Sequence, residues 1–175
     1  MNEYIHTDSR LERRPCREIR LGDLRIGGDN PIIVQSMTNT DTRDVEATCE
    51  QVQALADAGC ELVRLAVLDE KAAAVLGRIR QASPVPLVAD IHFNHKLAVA
   101  ALEAGLEGVR INPGNIGGPD KVDIVVDAAR AHNAAIRVGV NSGSVEKPLL
   151  EKFGGPVPEA MVESAMGHVL MLEER

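Results

Sequence analysis

The 175-residue sequence has almost no aromatic residues, with one Tyr, two Phe and no Trp. This scarcity leaves no aromatic platform on which nucleic-acid bases could stack. Positive charge is also in deficit, because 26 Asp and Glu outnumber 19 Lys and Arg and give a net charge of −7. General binding to nucleic acid or to an anionic membrane needs a basic surface, so the composition argues against both.

Long apolar runs and export signals are missing as well. Residues 1–14 are polar and charged, unlike the apolar core of a signal peptide. No apolar run approaches the roughly 18 residues of a membrane-spanning helix. These absences predict a cytoplasmic protein, and the remaining composition, 45% hydrophobic and 26% charged, is typical of a folded domain.

Cysteine is sparse. Cys16, Cys49 and Cys60 are separated by 33 and 11 residues, and neither spacing matches a CxxC or zinc-ribbon pattern. We expect small buried hydrophobic residues or unreactive thiols. The sequence predicts no metal site within this chain.

Short apolar runs recur along the chain, and each is followed by a segment with helical apolar spacing. The runs are PIIVQSM at 31–37, ELVRLAV at 61–67, PLVADIH at 86–92, GVRINP at 108–113 and AAIRVGV at 134–140. Their starts lie about 20–30 residues apart, which leaves room for one helix and two short loops in each unit. The pattern predicts five parallel β-α units, with Asp44 capping the first helix and Gly59 and Gly105 ending the first and third.

The alternation along these runs distinguishes an open sheet from a barrel. One face is apolar and comprises Val63, Leu65, Val67, Leu87, Ala89, Ile91, Val109, Ile111, Ile136, Val138 and Val140. The other holds Arg64, Asp90, His92, Arg110, Asn112, Arg137, Gly139 and Asn141. An open doubly wound sheet should be apolar on both faces, whereas the inner face of a barrel can become polar near its C-terminal mouth. The predicted fold class is therefore α/β, of the (β/α)8 TIM-barrel type.

The predicted barrel is incomplete. A closed barrel needs eight units and usually about 250 residues, whereas about five β-α units are present here. We expect residues 1–30 to form an N-terminal leader and residues 31–175 the N-terminal part of a TIM-barrel domain, with strands six to eight missing. Alone, such a chain would expose unpaired strand edges, which promote aggregation.

Three arginines at matching strand positions, Arg64, Arg110 and Arg137, indicate a binding site. Their convergence at one mouth is unfavourable unless acidic groups or a polyanion neutralise them. The single carboxylate of Asp90 cannot neutralise three guanidinium groups. Because the planar guanidinium fork suits phosphate oxygens, a phosphate or diphosphate ligand is the simplest counter-charge.

The loops that follow the strands agree with an anion site. NPGNIGGPD at 112–120 is Gly-rich and precedes a helix, and NSGSVEK at 141–147 adds two hydroxyls and Lys147. Backbone N–H groups in such loops can cradle an anion. The segment QSMTNTDTRD after the first strand is rich in hydroxyls and amides. Such groups are common in loops, and they indicate an anion site only because the arginines lie nearby.

Asp90 and His92 lie two residues apart at the end of VADIH and admit three interpretations. They could form a structural ion pair, ligate a divalent metal, or bind substrate and transfer protons. A metal ranks last, because the five strands carry no further inward His or carboxylate. In an arginine-rich mouth, Asp90 should stay ionised and His92 could donate to a phosphate.

The strings QSMTNT, VADIHF, RINPGNIG and VGVNSGS, in this order and spacing, resemble the family of 4-hydroxy-3-methylbut-2-enyl diphosphate synthases in its bacterial form, from about Pro15 onwards. The resemblance implies the methylerythritol phosphate route to isoprenoids and the reductive ring opening of 2-C-methyl-D-erythritol 2,4-cyclodiphosphate with loss of water. Ferredoxin or flavodoxin would supply two electrons. It also implies a TIM barrel that binds the diphosphate, a C-terminal domain with a 4Fe-4S cluster on three Cys and one Glu, and a homodimer in which that domain caps the partner's barrel.

The resemblance also assigns roles to residues. The implied diphosphate ligands are Arg64, His92, Arg110, Arg137 and Asn141, with Asp90 and Asn112 beside them. Asp90 or His92 would serve the proton balance as catalytic groups. The cluster ligands would lie beyond Arg175, and none of the three cysteines is assigned to the cluster.

Two other functions fit the same residues. A dihydropteroate-synthase-like transferase would also place Arg and Asn at strand ends for an anionic substrate. A non-catalytic fragment that binds polyanions is the second alternative. For the 175-residue chain by itself we expect no activity.

Overall fold

The computed structural model describes residues 14–175, so residues 1–13 of the predicted leader lie outside it. The strands are β1 (Ile19–Leu21), β2 (Leu24–Ile26), β3 (Gln35–Met37), β4 (Leu62–Ala66), β5 (Leu87–Asp90), β6 (Gly108–Ile111) and β7 (Ala135–Val138). The helices are α1 (Val45–Asp57), α2 (Glu70–Ala82), α3 (His95–Glu103), α4 (Pro119–Ala131), α5 (Lys147–Phe153) and α6 (Pro158–Glu173), and a 3-10 turn spans Ser142–Ser144.

Strands β3 to β7 form one sheet in sequence order, with every neighbouring pair parallel. A helix follows each strand, as the repeating pattern predicts. The prediction of an incomplete (β/α)8 barrel with five β-α units is confirmed. Strand β3 is shorter than its apolar run. The Val34 carbonyl still accepts from the backbone N–H groups of Glu61 and Leu62, but the Val34 N–H donates to Glu61 Oε2 at 2.9 Å.

The predicted outer face of the sheet is confirmed as the main core along β4, β5 and β6, whereas its members Ile136, Val138 and Val140 on and after β7 are only half-buried. Val63, Leu65, Leu87, Ala89, Ile91, Val109 and Ile111 are all fully buried. They pack with apolar side chains of the helices, among them Val52 of α1, Leu76 of α2, Leu102 of α3 and Val125 of α4. This layer of helix on sheet fixes the opposite strand face as the interior of the incomplete barrel.

Local signals place the helices as the sequence predicts. Asp44 accepts a hydrogen bond from the Ala47 backbone N–H at 3.1 Å and so caps α1. Gly59 and Gly105 follow α1 and α3 with φ of 96° and 87°. Glycine adopts this left-handed conformation without the strain that a Cβ would bring.

A two-stranded hairpin covers the inner face at the N-terminal ends of the strands. β1 and β2 pair antiparallel, with Leu21 opposite Leu24. Leu21 is buried with Leu62 and Val88, which begin the inner faces of β4 and β5. Residues 19–26 lie within the predicted leader, where the sequence analysis placed no strand, because two three-residue strands carry too few residues for a recognisable alternation.

The two edge strands of the open sheet approach each other through their side chains. Arg137 on β7 donates from a terminal guanidinium nitrogen to Gln35 Oε1 on β3 at 2.9 Å. The sheet is therefore curled enough for its first and last strands to touch across the interior. Among residues 14–175, no helix is long and apolar enough to cross a membrane.

Candidate functional site

The site is centred on the carboxylate of Asp90, the last residue of β5. Its side chain is 6% exposed. One oxygen, Oδ1, lies 3.1 Å from a terminal guanidinium nitrogen of Arg110, and Oδ2 lies 3.3 Å from Nε of Arg64. Two of the three predicted arginines are therefore brought together on one buried acid.

The parallel register explains this convergence. Asp90 pairs directly with Arg110 on β6, and Arg110 pairs with Arg137 on β7. Residues paired in this way point to the same face of a sheet. Arg64 lies two residues before Ala66, the partner of Asp90 on β4, and so shares that face one step deeper in the barrel.

Arg64 has a second contact that the sequence analysis did not predict. Its Nε and one terminal nitrogen each lie 3.3 Å from the sulfur of Met37, at the end of β3. A thioether is only a weak acceptor, so this contact orients the guanidinium without neutralising it. Met37 and Arg64 are paired between neighbouring strands, and this pairing could have indicated the contact. It becomes visible only once the two strands are aligned.

The guanidinium of Arg110 lies where a side chain at position 139 would begin. A Cβ built on Gly139 would overlap Nε and Cζ of Arg110. The missing side chain at position 139 therefore makes the space that the guanidinium occupies. The parity pattern placed Gly139 on the inner face, and the structure gives the reason for glycine there.

Arg137 lies apart from the buried acid. Its side chain is exposed, and its guanidinium donates a hydrogen bond to Gln35. Among residues 14–175, Asp90 is the only carboxylate within 4 Å of Arg64 or Arg110. The mouth thus holds three guanidinium groups and one carboxylate, an excess of positive charge that favours an anionic ligand.

His92 stands at the rim of the mouth. Its side chain is 47% exposed, and Nε2 lies 3.9 Å from Asp90 Oδ1, beyond hydrogen-bonding distance. The neighbouring ring of Phe93 lies 6.0 Å away between centroids. His92 is therefore available to a ligand rather than committed to the acid.

The two predicted asparagines are not joined to the arginine cluster. Asn112 is buried, and its Oδ1 accepts from the Gly114 backbone N–H at 3.1 Å. Asn141 is exposed and begins the 3-10 turn, where its backbone N–H donates to Ser144 Oγ at 3.1 Å. Each lies in the loop that follows an arginine-bearing strand.

The loop after β3 uses its polar groups internally. Thr42 Oγ1 donates to the Ala66 carbonyl at 2.7 Å, and Thr40 shares a 2.9 Å hydrogen bond with Thr48. Hydrogen bonds from Arg43 lower the pKa of Asp41 to about 2. These contacts fix the loop beside the mouth and leave few of its side chains for a ligand.

The loop after β6 carries a further cation. Gly117 and Gly118 have φ of 109° and 100°, and Pro119 then starts α4 without a side-chain cap. The Lys121 side chain folds back over Gly117, where a Cβ would lie 2.7 Å from Nζ. The Gly-rich pattern of the loop gives no indication of this lysine, which lies in the first turn of α4.

Comparison with known proteins identifies the family of this chain. Residues 16–175 match the model of the GcpE TIM-barrel domain. The chain is 64% identical over 165 residues to 4-hydroxy-3-methylbut-2-en-1-yl diphosphate synthase (flavodoxin) of Nitratidesulfovibrio vulgaris, covering 94% of this chain and 43% of that protein. It is 65% identical over 162 residues to the protein of the same name from Lawsonia intracellularis, covering 93% and 45%. The chain thus spans less than half the length of these curated relatives.

Solved structures support the fold alone. Dihydropteroate synthase of Xanthomonas albilineans aligns with a TM-score of 0.54 at 15% identity, covering 88% of this chain and 60% of that one. The enzyme of Vibrio fischeri aligns with a TM-score of 0.52 at 10% identity, covering 87% and 63%. The matched family model spans nearly the whole described chain, and by that match the chain belongs to the GcpE TIM-barrel domain family.

Proposed function

We propose that this chain is the substrate-binding part of a 4-hydroxy-3-methylbut-2-en-1-yl diphosphate synthase, which opens the ring of 2-C-methyl-D-erythritol 2,4-cyclodiphosphate by reduction and loss of water. The observation that carries the proposal is the excess of guanidinium groups over carboxylate at the mouth. A diphosphate would neutralise this excess and accept several charge-assisted hydrogen bonds. The names of the 62–65% identical relatives support the choice of substrate.

Each residue of the mouth has a role in this proposal. Arg110 and Arg64 bind diphosphate oxygens, and Asp90 holds both guanidinium groups in place. Arg137 exchanges Gln35 for the ligand. His92, free at the rim, donates a hydrogen bond to a phosphate and is the proposed proton donor.

Asn112 and Asn141 complete the proposed set from the two adjoining loops. Neither contacts the arginines in this structure. Their contribution to substrate binding therefore depends on the loops that carry them. Asp90 acts mainly through the arginines, and its own proton transfer is a secondary part of the proposal.

The proposed activity implies a 4Fe-4S cluster, which would supply electrons when bound. The cysteines in residues 14–175 do not fit as its ligands. Cys16 Sγ accepts a hydrogen bond from the Gly28 N–H at 3.3 Å, and Cys49 and Cys60 pack against the core. Those residues also contain no group of three or more His, Cys, Asp or Glu that could hold a metal ion. We therefore assign to this chain substrate binding and the proposed proton transfer, and no part in holding the cluster.

The remaining partners follow from the relatives. Their names specify flavodoxin, and we propose flavodoxin, or ferredoxin in its place, as the electron donor. A homodimer in the cytoplasm completes the proposal. The likeness to dihydropteroate synthases is one of fold, so a pterin transferase is not proposed.

The test uses a hybrid protein, in which this chain replaces the matched 165 residues of the Nitratidesulfovibrio vulgaris relative. Arg137→Met is the informative variant, because Arg137 is exposed and its loss leaves Asp90 paired. Losing one charge-assisted contact should weaken substrate binding by about 1.5–3 kcal/mol, or roughly ten- to a hundredfold in Kd. Isothermal titration of the cyclodiphosphate measures Kd, and anaerobic product chromatography with reduced flavodoxin measures turnover.

Arg78→Met is the matched control, since Arg78 is exposed on α2. It removes the same charge from the same protein and should leave Kd unchanged. An Arg137→Met variant that binds substrate as tightly as the control contradicts the proposed site. A hybrid that binds polyanions of every kind equally well and forms no product supports the non-catalytic alternative.

A further inference from the structure

A second group of polar side chains lies outside the arginine cluster. It consists of the buried Asn112, Ser164 and His168 and the half-buried Glu146, from the loop after β6, the segment before α5, and one face of α6. His168 Nε2 lies 2.8 Å from Glu146 Oε1. Within residues 14–175, the atoms Asn112 Nδ2, Glu146 Oε2, Ser164 Oγ and His168 Nε2 are buried without a hydrogen-bond partner, so the close approach of His168 to Glu146 is a polar contact without hydrogen-bond geometry.

Such a group is not explained by packing. A buried polar atom without a hydrogen-bond partner destabilises the folded state, because it has lost its contact with water. An apolar set of similar volume at the same place is often neutral or stabilising by comparison. The contacts of His168 indicate what these side chains do instead.

His168 touches both loops that follow the last two arginine-bearing strands. A Cβ built on Gly114 would lie 3.2 Å from His168 Nε2 and 3.3 Å from Asn112 Oδ1, so the ring packs directly on the turn that Asn112 forms. The same Nε2 meets Glu146, which follows the turn begun by Asn141. One buried side chain of α6 therefore bridges the β6 loop and the β7 loop.

We propose that His168 is a positioning residue for the diphosphate site. It joins the turn of Asn112 to Glu146 and so fixes both loops relative to Arg110 and Arg137, whose strands lead into them. His168 touches no arginine of the site and acts through the loops. This inference rests on the proposed function, because the aligned groups are the proposed diphosphate ligands.

Two variants in the hybrid protein test it. His168→Leu removes the polar contact to Glu146, while His168→Gln retains a nitrogen donor on a side chain of similar reach. We expect His168→Leu to raise the Kd for the cyclodiphosphate by about tenfold, as for the loss of one buried polar contact. His168→Gln should restore most of the affinity. Met166→Ala, at an exposed position on the same helix, should leave Kd unchanged.

A double variant separates positioning from general loss of structure. If His168 acts through the turn of Asn112, Asn112→Ala with His168→Leu should bind substrate no more weakly than Asn112→Ala alone. The inference is overturned if the two substitutions raise Kd additively. It is also overturned if His168→Leu lowers the melting temperature and leaves Kd unchanged. If Arg137→Met does not weaken substrate binding, the proposed function fails instead. The two failures are therefore distinguishable.

Discussion

The tightest steric constraint at the site is the close approach of the Arg110 guanidinium to Gly139, and Gly139→Ala tests it. The added methyl group would overlap the Nε and Cζ positions of the Arg110 side chain. The backbone of residue 139 is not left-handed and so accepts alanine without strain. The change therefore acts through the displaced guanidinium.

The expected magnitude follows from what Arg110 loses. A flexible arginine can move aside at little steric cost, but it then gives up its 3.1 Å hydrogen bond to Asp90. Both side chains are largely buried, at 15% and 6% exposed, so the lost charge-assisted hydrogen bond should cost about 2 kcal/mol. For a domain of this size, that loss lowers the melting temperature by about 4–8 °C.

The assay compares two glycine-to-alanine substitutions. Gly167 lies exposed in α6 with open space around its Cβ position, so Gly167→Ala should raise stability by about 0.5–1 kcal/mol through higher helix propensity. Thermal melts of the 175-residue chain measure both changes, and titration of the hybrid with cyclodiphosphate measures Kd. The reasoning is refuted if Gly139→Ala stabilises the chain as Gly167→Ala does and leaves substrate affinity intact.

Two further predictions concern the carboxylates. Asp90→Asn should destabilise the chain by about 3 kcal/mol in urea titrations, because two partly buried guanidinium groups lose their counter-charge. Exposed Asp120→Asn should change stability by under about 1 kcal/mol, and equal effects would contradict the pairing. The Asp41 carboxyl should titrate at about pH 2 by NMR, so its stabilising contribution is complete above its ordinary pKa of 3.8 and is lost as pH falls towards 2. Arg43→Met should return that midpoint towards 3.8, and an unmoved midpoint would exclude Arg43 as the cause.

The part of the structure that depends on local pattern was predictable from the sequence. Alternation along single strands placed Val109 outside and Arg110 inside, and the cap at Asp44 follows from short-range chemistry. The family and the incomplete barrel were also predictable from motif order. The alternation of residues along the strands also placed Arg64, Asp90 and Arg110 on the same face of the sheet.

The part that depends on distant contacts was not predictable. Met37 meets Arg64 across 27 positions of sequence, and Arg137 meets Gln35 across 102. Both contacts follow from the curl and register of the sheet, which no short motif specifies. His168 lies on a helix outside the sheet, so strand parity gave no indication of its contact with the turn of Asn112.

The hairpin beneath the sheet imposes an order on folding. Leu21 is made early, but the apolar layer that receives it includes Ala135, which is synthesised about 110 residues later, or roughly 5–20 s at ribosomal rates. During that interval the hairpin lacks part of its binding surface, while the neighbouring β-α units can pair locally. The docking of β1 and β2 is therefore a late, long-range closure, and it should be the slow step that completes the lower layer of this domain.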